Sequence, residues 1–308
     1  MKLNQQNIPG IFNDVIGPIM RGPSSSHTAA SWRAAKTCMD ILNEPLKKAI
    51  IDFDKDGAWA SNYKGQGTSL GIEGGLLGLE MTDDRMKNTE LVANELGISI
   101  HYEINSFKTN HVNTFRLLLE GINGKNIKVV AISIGGGSFE IQNIDGFEVK
   151  ICGDFYELCL FNSSKETGLE KLKSMFPQSK SIVESFNSDK RLINMKFSKE
   201  VSDETIEKLK RIVSFDELII TKPVLPIVAG NESELPFTSV ASLLEFAEKE
   251  DLDLGALGLI YEQCQSGLKD SAVIDRMKNL VSIIENSIKT GLEGTTYEDR
   301  ILPQQSHL

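Results

Sequence analysis

The stretch Arg21-Gly22-Pro23-Ser24-Ser25-Ser26-His27-Thr28 stands directly before residues 29–42, a run of mostly small and apolar side chains at helical spacing. That run predicts a helix packed closely against a neighbour. The Gly-Pro pair predicts a turn, and one of the serines is expected to cap the helix. The free N–H groups of the first helical turn would then lie beside hydroxyls and one imidazole, an arrangement that suits a small carboxylate or phosphate.

The residues of this stretch alone leave a second interpretation open. Serine-rich caps are common at helix starts, and a histidine beside one is often an exposed residue without a ligand. One cap needs one serine, whereas three stand here in succession. The excess is the reason to consider an anion site here as well.

Length and charge exclude several classes of protein. The chain has 308 residues, enough for two or three domains with apolar cores, and its formal net charge is −10. An acidic chain without a basic cluster is not expected to bind nucleic acid or an anionic membrane. No segment has the pattern of a signal peptide or about 20 successive apolar residues, so a cytoplasmic location is expected.

The four cysteines are dispersed and include no CxxC pair; they are Cys38, Cys152, Cys159 and Cys264. In a reducing compartment they are expected to be free thiols. Their spacing fits neither a zinc site nor the cysteine-rich runs of common iron–sulfur proteins. The sequence therefore predicts no metal site in this chain.

The first half of the chain alternates strand and helix patterns. Strands are predicted over residues 49–53, 57–63, 98–104, 115–120 and 127–134, with a hairpin over 138–149 and a helix over 83–95. The glycine-rich segment 64–71 lacks the GxGxxG spacing of a dinucleotide site. A turn for close backbone packing and a backbone nest for an anion are the remaining interpretations.

The second half predicts a compact βαββαβ unit followed by helices. Strands over 155–161, 181–186, 191–197 and 217–221 alternate with helices over 167–176 and 202–213, which is a ferredoxin-like order. Helices over 239–250, 254–265 and 270–290 follow, and the last should bury Val273, Met277, Leu280, Ile284 and Ile288. Residues 294–308 are polar and irregular. The fold class expected from these patterns is α+β.

Four motifs in this order resemble the iron–sulfur-dependent L-serine dehydratases, in particular their β part. The specific one is Gly-Pro-Ser-Ser-Ser-His-Thr at residues 22–28; the others are residues 64–67, His111-x-Asn113-Thr114 and the glycine triplet 135–137. The sequence departs from the family pattern at Gln66, Ser69 and Val112, where the family usually has histidine, aspartate and proline.

The resemblance implies a domain arrangement. Residues 1–153 would form the β-type domain, which is of the allosteric-substrate-binding kind, and 154–228 an ACT-type ferredoxin-like domain. Residues 229–238 would be a linker, and 239–308 the first helices of the catalytic α-type domain, apparently incomplete.

The resemblance also implies a lyase that converts L-serine to pyruvate and ammonia in amino-acid degradation and gluconeogenesis. A [4Fe-4S] cluster is expected in the complete enzyme, held by cysteines of a cluster-bearing α-type chain or domain rather than by this chain. A homo-oligomer, in the simplest case a dimer, is also expected.

The resemblance assigns roles to the motif residues. His27 would be the catalytic, hydrogen-bonding or proton-handling residue, and the binding residues for L-serine or a related amino acid would be Ser24, Ser25, Ser26, Thr28, Gly67, His111, Asn113, Gly135, Gly136 and Gly137. The alternative is a non-catalytic amino-acid sensor that uses the same site or the ferredoxin-like unit.

Overall fold

The computed structural model describes residues 9–16, 20–107, 109–163, 167–228 and 234–293, apart from the side chain of Ser25. The chain divides into two compact units. One is Pro9–Gly230, and the other combines Met1–Ile8 with Asn231–Leu308. Within the described ranges, no helix is long and apolar enough to cross a membrane.

A six-stranded mixed sheet forms the first part of the Pro9–Gly230 unit, in the order β2-β1-β3-β4-β5-β6. Strand β2 lies parallel to β1, and every other pair is antiparallel. Residues two apart on a strand share a face of the sheet. The buried apolar residues of these strands therefore form one apolar face. The strands are β1 (Leu46–Asp54), β2 (Ser99–Asn105), β3 (Thr114–Gly121), β4 (Asn126–Gly135), β5 (Ser138–Ile144) and β6 (Phe147–Ile151).

Two helices of this region pack unusually closely. Helix α1 (Ser25–Leu42) lies against α2 (Thr68–Leu76), and a short α3 (Thr89–Glu95) follows a 3₁₀ turn. A Cβ atom at Gly71 would lie 2.1 Å from Ser31 Oγ, and one at Gly75 would lie 2.5 Å from the Trp32 carbonyl oxygen. The glycines therefore permit the helix contact, and the close-packing interpretation is confirmed.

One prediction for this region needs correction. Residues 57–63 form no strand, because their backbone closes into turns in which the amides of Asn62 and Tyr63 donate to the Trp59 carbonyl oxygen. The first helix runs over Ser25–Leu42 with Ser24 as its N-cap, so the prediction that a serine stands at its N-cap is confirmed. Helical backbone thus extends into the serine cluster itself.

The ferredoxin-like prediction is confirmed as topology. A four-stranded antiparallel sheet has the order β10-β7-β9-β8, with two helices in the crossovers. One face packs under the helices, and the other contributes Cys159, Phe161, Leu192 and Ile219 to the core of the first sheet. The predicted domain boundary at 153/154 stays a prediction. The elements are β7 (Tyr156–Phe161), α4 (Leu169–Met175), β8 (Ser181–Asn187), β9 (Lys190–Phe197), α5 (Asp203–Ile212) and β10 (Glu217–Thr221).

The second unit contains the three predicted helices, α6 (Val240–Glu250), α7 (Leu254–Ser266) and α8 (Asp270–Glu293). The predicted apolar stripe of α8 is only half buried. Val273 and Leu280 are buried, whereas Ile284 is 52 % and Ile288 58 % exposed. Spacing places side chains on one face, but burial also needs a packing partner. Residues 229–233 of the predicted linker and the tail 294–308 lie outside the described residues.

Candidate functional site

The start of α1 has a serine cap that does not act through its side chain. Ser24 is the N-cap with extended backbone, and its hydroxyl forms no bond to a helix amide. Instead Ser24 Oγ shares a 2.8 Å hydrogen bond with His27 Nδ1 and lies 3.4 Å from Ser26 Oγ. Backbone bonding within the helix begins with Thr28 N–H, which donates to the Ser24 carbonyl oxygen. The three preceding amides are therefore placed to receive an anion.

The glycine-rich loop holds this helix start from one side. The Ser24 amide donates to the Gln66 carbonyl oxygen at 3.3 Å. Gly67 has φ +85°, and a Cβ atom there would lie 2.4 Å from Thr28 Oγ1. Thr28 is fully buried, and its hydroxyl donates to the Ser24 carbonyl oxygen at 3.1 Å. Gly67 and Thr28 thus pack against each other at the buried side of the helix start. The side chain of Ser25 lies outside the described part.

His27 lies against Trp59, with the two ring centroids 5.6 Å apart and the planes inclined by 41°. Partial burial lowers the pKa of the His27 imidazole below its usual range. The neutral form is therefore favoured near pH 7. With Nδ1 occupied by Ser24, Nε2 is the ring nitrogen left to exchange a proton or a hydrogen bond with a ligand.

The His111 turn is joined to the Trp59 loop. His111 Nδ1 accepts a 3.2 Å hydrogen bond from the Asn113 amide, and the Asn113 side chain donates weakly to the Ser133 carbonyl oxygen at 3.4 Å. The Ala58 amide donates to the Val112 carbonyl oxygen at 2.9 Å. His111 and Asn113 are therefore linked to His27 through the loop that carries Trp59.

The glycine triplet connects β4 and β5 with three left-handed residues, at φ +96°, +61° and +82°. The Gly137 carbonyl oxygen accepts a 2.7 Å hydrogen bond from Nη1 of Arg33, a buried side chain of α1. Added Cβ atoms would lie 2.7 Å from the Asp14 carbonyl oxygen at Gly136 and 3.1 Å from Ala29 Cβ at Gly137. Gly137 of the triplet is thus in tight contact with α1, and Gly136 is in tight contact with Asp14.

Sheet geometry explains why these distant segments meet. Phe53, near the end of β1, pairs with Phe115 at the start of β3, and Thr114 pairs with Ile132 near the end of β4. The loop after β1, the His111 turn and the glycine triplet therefore leave the same end of the sheet. The structure brings all the predicted motifs to that end, where Gly67 and Gly137 lie against α1 and the His111 turn is bonded to the Trp59 loop.

Sequence reasoning missed Trp59 and Arg33. Trp59 stands in the segment predicted as a strand, and Arg33 lies within the helix predicted from small and apolar side chains. An aromatic residue between Ala58 and Ala60 in a segment without alternation was the available signal for a buried loop anchor. Arg33 offered no comparable signal, because a single arginine on a helix is usually solvent-exposed.

Two proteins are similar to this chain over most of their own length. The L-serine dehydratase β chain of Peptoniphilus asaccharolyticus is 30% identical over 203 residues, which are 65% of this chain and 90% of that protein. This chain belongs to the L-serine dehydratase β-chain family. The probable L-serine dehydratase β chain of Bacillus subtilis (strain 168) is 34% identical over 152 residues, 49% of this chain and 68% of that protein. No family model matches the chain.

The cysteines of this L-serine dehydratase β-type chain do not suit an iron–sulfur cluster. Burial raises the pKa of the Cys152 and Cys159 thiols to about 12 and raises that of Cys38 further, which disfavours the thiolates that iron binds. Across the described residues, no three cysteine, histidine or acidic side chains converge on one point.

Proposed function

We propose that this chain supplies the amino-acid-binding part of an L-serine dehydratase, which forms pyruvate and ammonia together with a cluster-bearing catalytic chain or domain. The observation that carries the proposal is the start of α1, where free amides, two serine hydroxyls and a neutral imidazole converge in a chain of the β-chain family. These groups match the carboxylate end of an amino acid in charge and hydrogen bonding.

Each group has a distinct role in this proposal. The amides of Ser25, Ser26 and His27 bind the substrate carboxylate, and the Ser26 hydroxyl adds a donor from the side. Ser24 holds His27 by Nδ1, so that Nε2 handles a proton or a hydrogen bond of the substrate. The His111 turn and the glycine triplet shape the surrounding wall through their packing on Ala58 and α1.

The remaining regions fit the same proposal. The ferredoxin-like unit would be an ACT-type domain, and the helices of 240–293 would be the start of a catalytic α-type domain. Iron ligands would come from the catalytic partner. A cytoplasmic homo-oligomer is the expected assembly. The sensor alternative gains no support, because both relatives are named as dehydratase chains.

The test is anaerobic reconstitution of the full chain with a cluster-bearing catalytic chain of the family, followed by a pyruvate assay with L-serine. His27→Gln should lower kcat/KM by about 100-fold, the usual scale for loss of proton handling. Ser26→Ala should lower it by about 10-fold through loss of a hydrogen bond to a charged group.

The matched control is His101→Gln. His101 lies exposed on β2, where Nε2 shares a 2.7 Å hydrogen bond with Ser99 Oγ, and this variant should keep the full rate. Full rates in both the His27 and Ser26 variants would reject the proposal. So would an equal loss in the His101 control.

A further inference from the structure

We propose that Trp59 is a positioning residue for His27, and that its indole ring and the Ser24 hydroxyl together hold the imidazole in one orientation at the start of α1. This inference rests on the proposed function of His27. Trp59 lies against the imidazole ring of His27. It acts through the histidine.

Trp59 is itself held rigidly by the sheet. Its side chain is 2 % exposed, and its ring stacks on Phe115 with centroids 5.1 Å apart and planes inclined by 27°. Phe53 meets it edge-on at 6.2 Å. Phe53 and Phe115 are paired across β1 and β3, so the indole rests on a fixed platform. Offset and edge-on aromatic contacts of this kind favour one ring geometry.

His27 is restrained on two sides. The 2.8 Å bond from Ser24 Oγ to Nδ1 acts in the plane of the imidazole, and the indole at 5.6 Å limits rotation of the ring. A single hydrogen bond would leave the ring able to turn about its axis. The indole removes that freedom, and the direction of Nε2 is thereby set.

One loop carries both the indole and the support of the helix start. The Trp59 carbonyl oxygen accepts from the amides of Asn62 and Tyr63, which closes the turn, and the Gln66 carbonyl oxygen accepts from the Ser24 amide. Gly67 of the same loop lies against Thr28. Movement of this loop would therefore displace the serines and the histidine together, which makes the loop the element that aligns the site.

The chemical consequence concerns both orientation and solvation. Replacing the indole by a branched aliphatic side chain removes the flat surface against His27 and admits water to the ring. The imidazole then gains rotational freedom, and its pKa should return toward about 6.5. Misplacement of a proton-handling group by about 1 Å can lower turnover by up to about 100-fold.

The first measurement follows the His27 ring by NMR in the isolated full chain, with His27→Gln to assign the signal. We expect the pKa in Trp59→Phe to stay near that of the unmodified chain, and the pKa in Trp59→Leu to be higher. Equal values in Trp59→Leu and the unmodified chain would overturn the positioning role, whatever the enzyme activity.

The second measurement keeps Trp59 in place, in case Trp59→Leu does not fold. The chain has two tryptophans, so Trp32→Phe leaves Trp59 as the sole indole emitter. Protonation of a touching imidazole should quench its fluorescence, and the pH-dependent step should vanish when His27→Gln is added. A step of unchanged size in the double variant would overturn the contact.

The third measurement separates this inference from the proposed function. In the reconstituted enzyme, Trp59→Leu should lower kcat/KM at least 10-fold and move the acidic limb of the pH profile with the His27 pKa, whereas Trp59→Phe should stay within about 3-fold. If the acidic limb of the pH profile does not move in a folded Trp59→Leu enzyme, Trp59 does not position His27. Full activity of His27→Gln rejects the proposed function, and the NMR titration still decides the positioning role.

Discussion

The two sheets of the Pro9–Gly230 unit use polar groups in opposite ways. The six-stranded sheet collects them at one end, where Ser24, Ser26 and His27 remain partly accessible. The ferredoxin-like sheet encloses them. Glu157 of β7 is fully buried, with Lys196 Nζ 3.1 Å from one carboxylate oxygen and Asn194 Nδ2 donating to the other at 2.9 Å.

This contrast shows that a perturbed ionisable group does not by itself mark a functional site. Burial raises the pKa of Glu157 to about 7, whereas burial lowers the pKa of His27. Yet Glu157 is paired and enclosed, whereas His27 has a free ring nitrogen beside unbonded helix amides. Access distinguishes the two groups, and each prediction below tests one side of the comparison.

The largest effect should come from the contact between α1 and α2, which supports the accessible site. Gly71→Ala would place a Cβ atom 2.1 Å from Ser31 Oγ and 2.3 Å from the Thr28 carbonyl oxygen. The helices must separate, at a cost of about 3 kcal/mol in the free energy of unfolding. Urea unfolding followed by circular dichroism measures this cost.

Gly258→Ala in α7 is the matched control, because a Cβ atom there meets nothing within 4 Å. It should be neutral or stabilising by up to about 1 kcal/mol, since alanine is the better helix former. A Gly71→Ala chain as stable as the control would show that the two helices tolerate repacking at the base of the site.

The next effect concerns the enclosed carboxylate. The folded chain holds the Glu157 proton up to pH about 7, whereas the unfolded chain releases it near the ordinary value of 4.5. Unfolding therefore releases a proton in this window, and stability should fall by roughly 2 kcal/mol between pH 5 and pH 8. Glu157→Gln should remove most of this pH dependence of stability. Urea unfolding at pH 5 and at pH 8 measures it.

Glu148→Gln, at an exposed position of β6, should leave the pH dependence of the unmodified chain. If Glu157→Gln kept that dependence as well, the enclosed carboxylate would already be ionised at pH 5. The contrast between the two sheets would then weaken.

The smallest effect concerns two serines that both stand at the N-cap of a helix. Ser202 caps α5 in the ferredoxin-like unit, where its hydroxyl accepts from the Thr205 amide at 3.3 Å, and Ser202→Ala should cost about 1 kcal/mol. Ser24 bonds His27 instead of a helix amide, so Ser24→Ala should cost less than about 0.5 kcal/mol but lower dehydratase activity. Thermal unfolding of both variants measures the two losses of stability, and the pyruvate assay measures the loss of activity in Ser24→Ala. Equal losses of stability would identify Ser24 as an ordinary cap.

Much of the fold was predictable because local signals agreed with the tertiary structure. The strand predicted over residues 98–104, the hairpin over 138–149 and the helix over 202–213 all appear at the expected places. The failures lie where the tertiary environment overrides local pattern. Residues 57–63 fold into turns around the buried Trp59, and the second half of the α8 stripe stays exposed.

The candidate site divides in the same way. The serine cluster and its histidine are contiguous in sequence, so the helix start could be recognised from residues 22–28 alone. Its remaining parts come from segments more than 30 residues away. Their meeting depends on the register of β1, β3 and β4, which no local pattern specifies.

By itself, the sequence predicted an anion site at the start of α1, because amide donors, hydroxyls and an imidazole follow from residue type and helix geometry. Only the tertiary structure decided that Ser24 binds His27 and leaves the helix amides free, and that Trp59 lies against the imidazole. The physical reason is that a side chain with several possible partners is assigned one by packing. Packing here is set by a sheet that brings distant loops to one end.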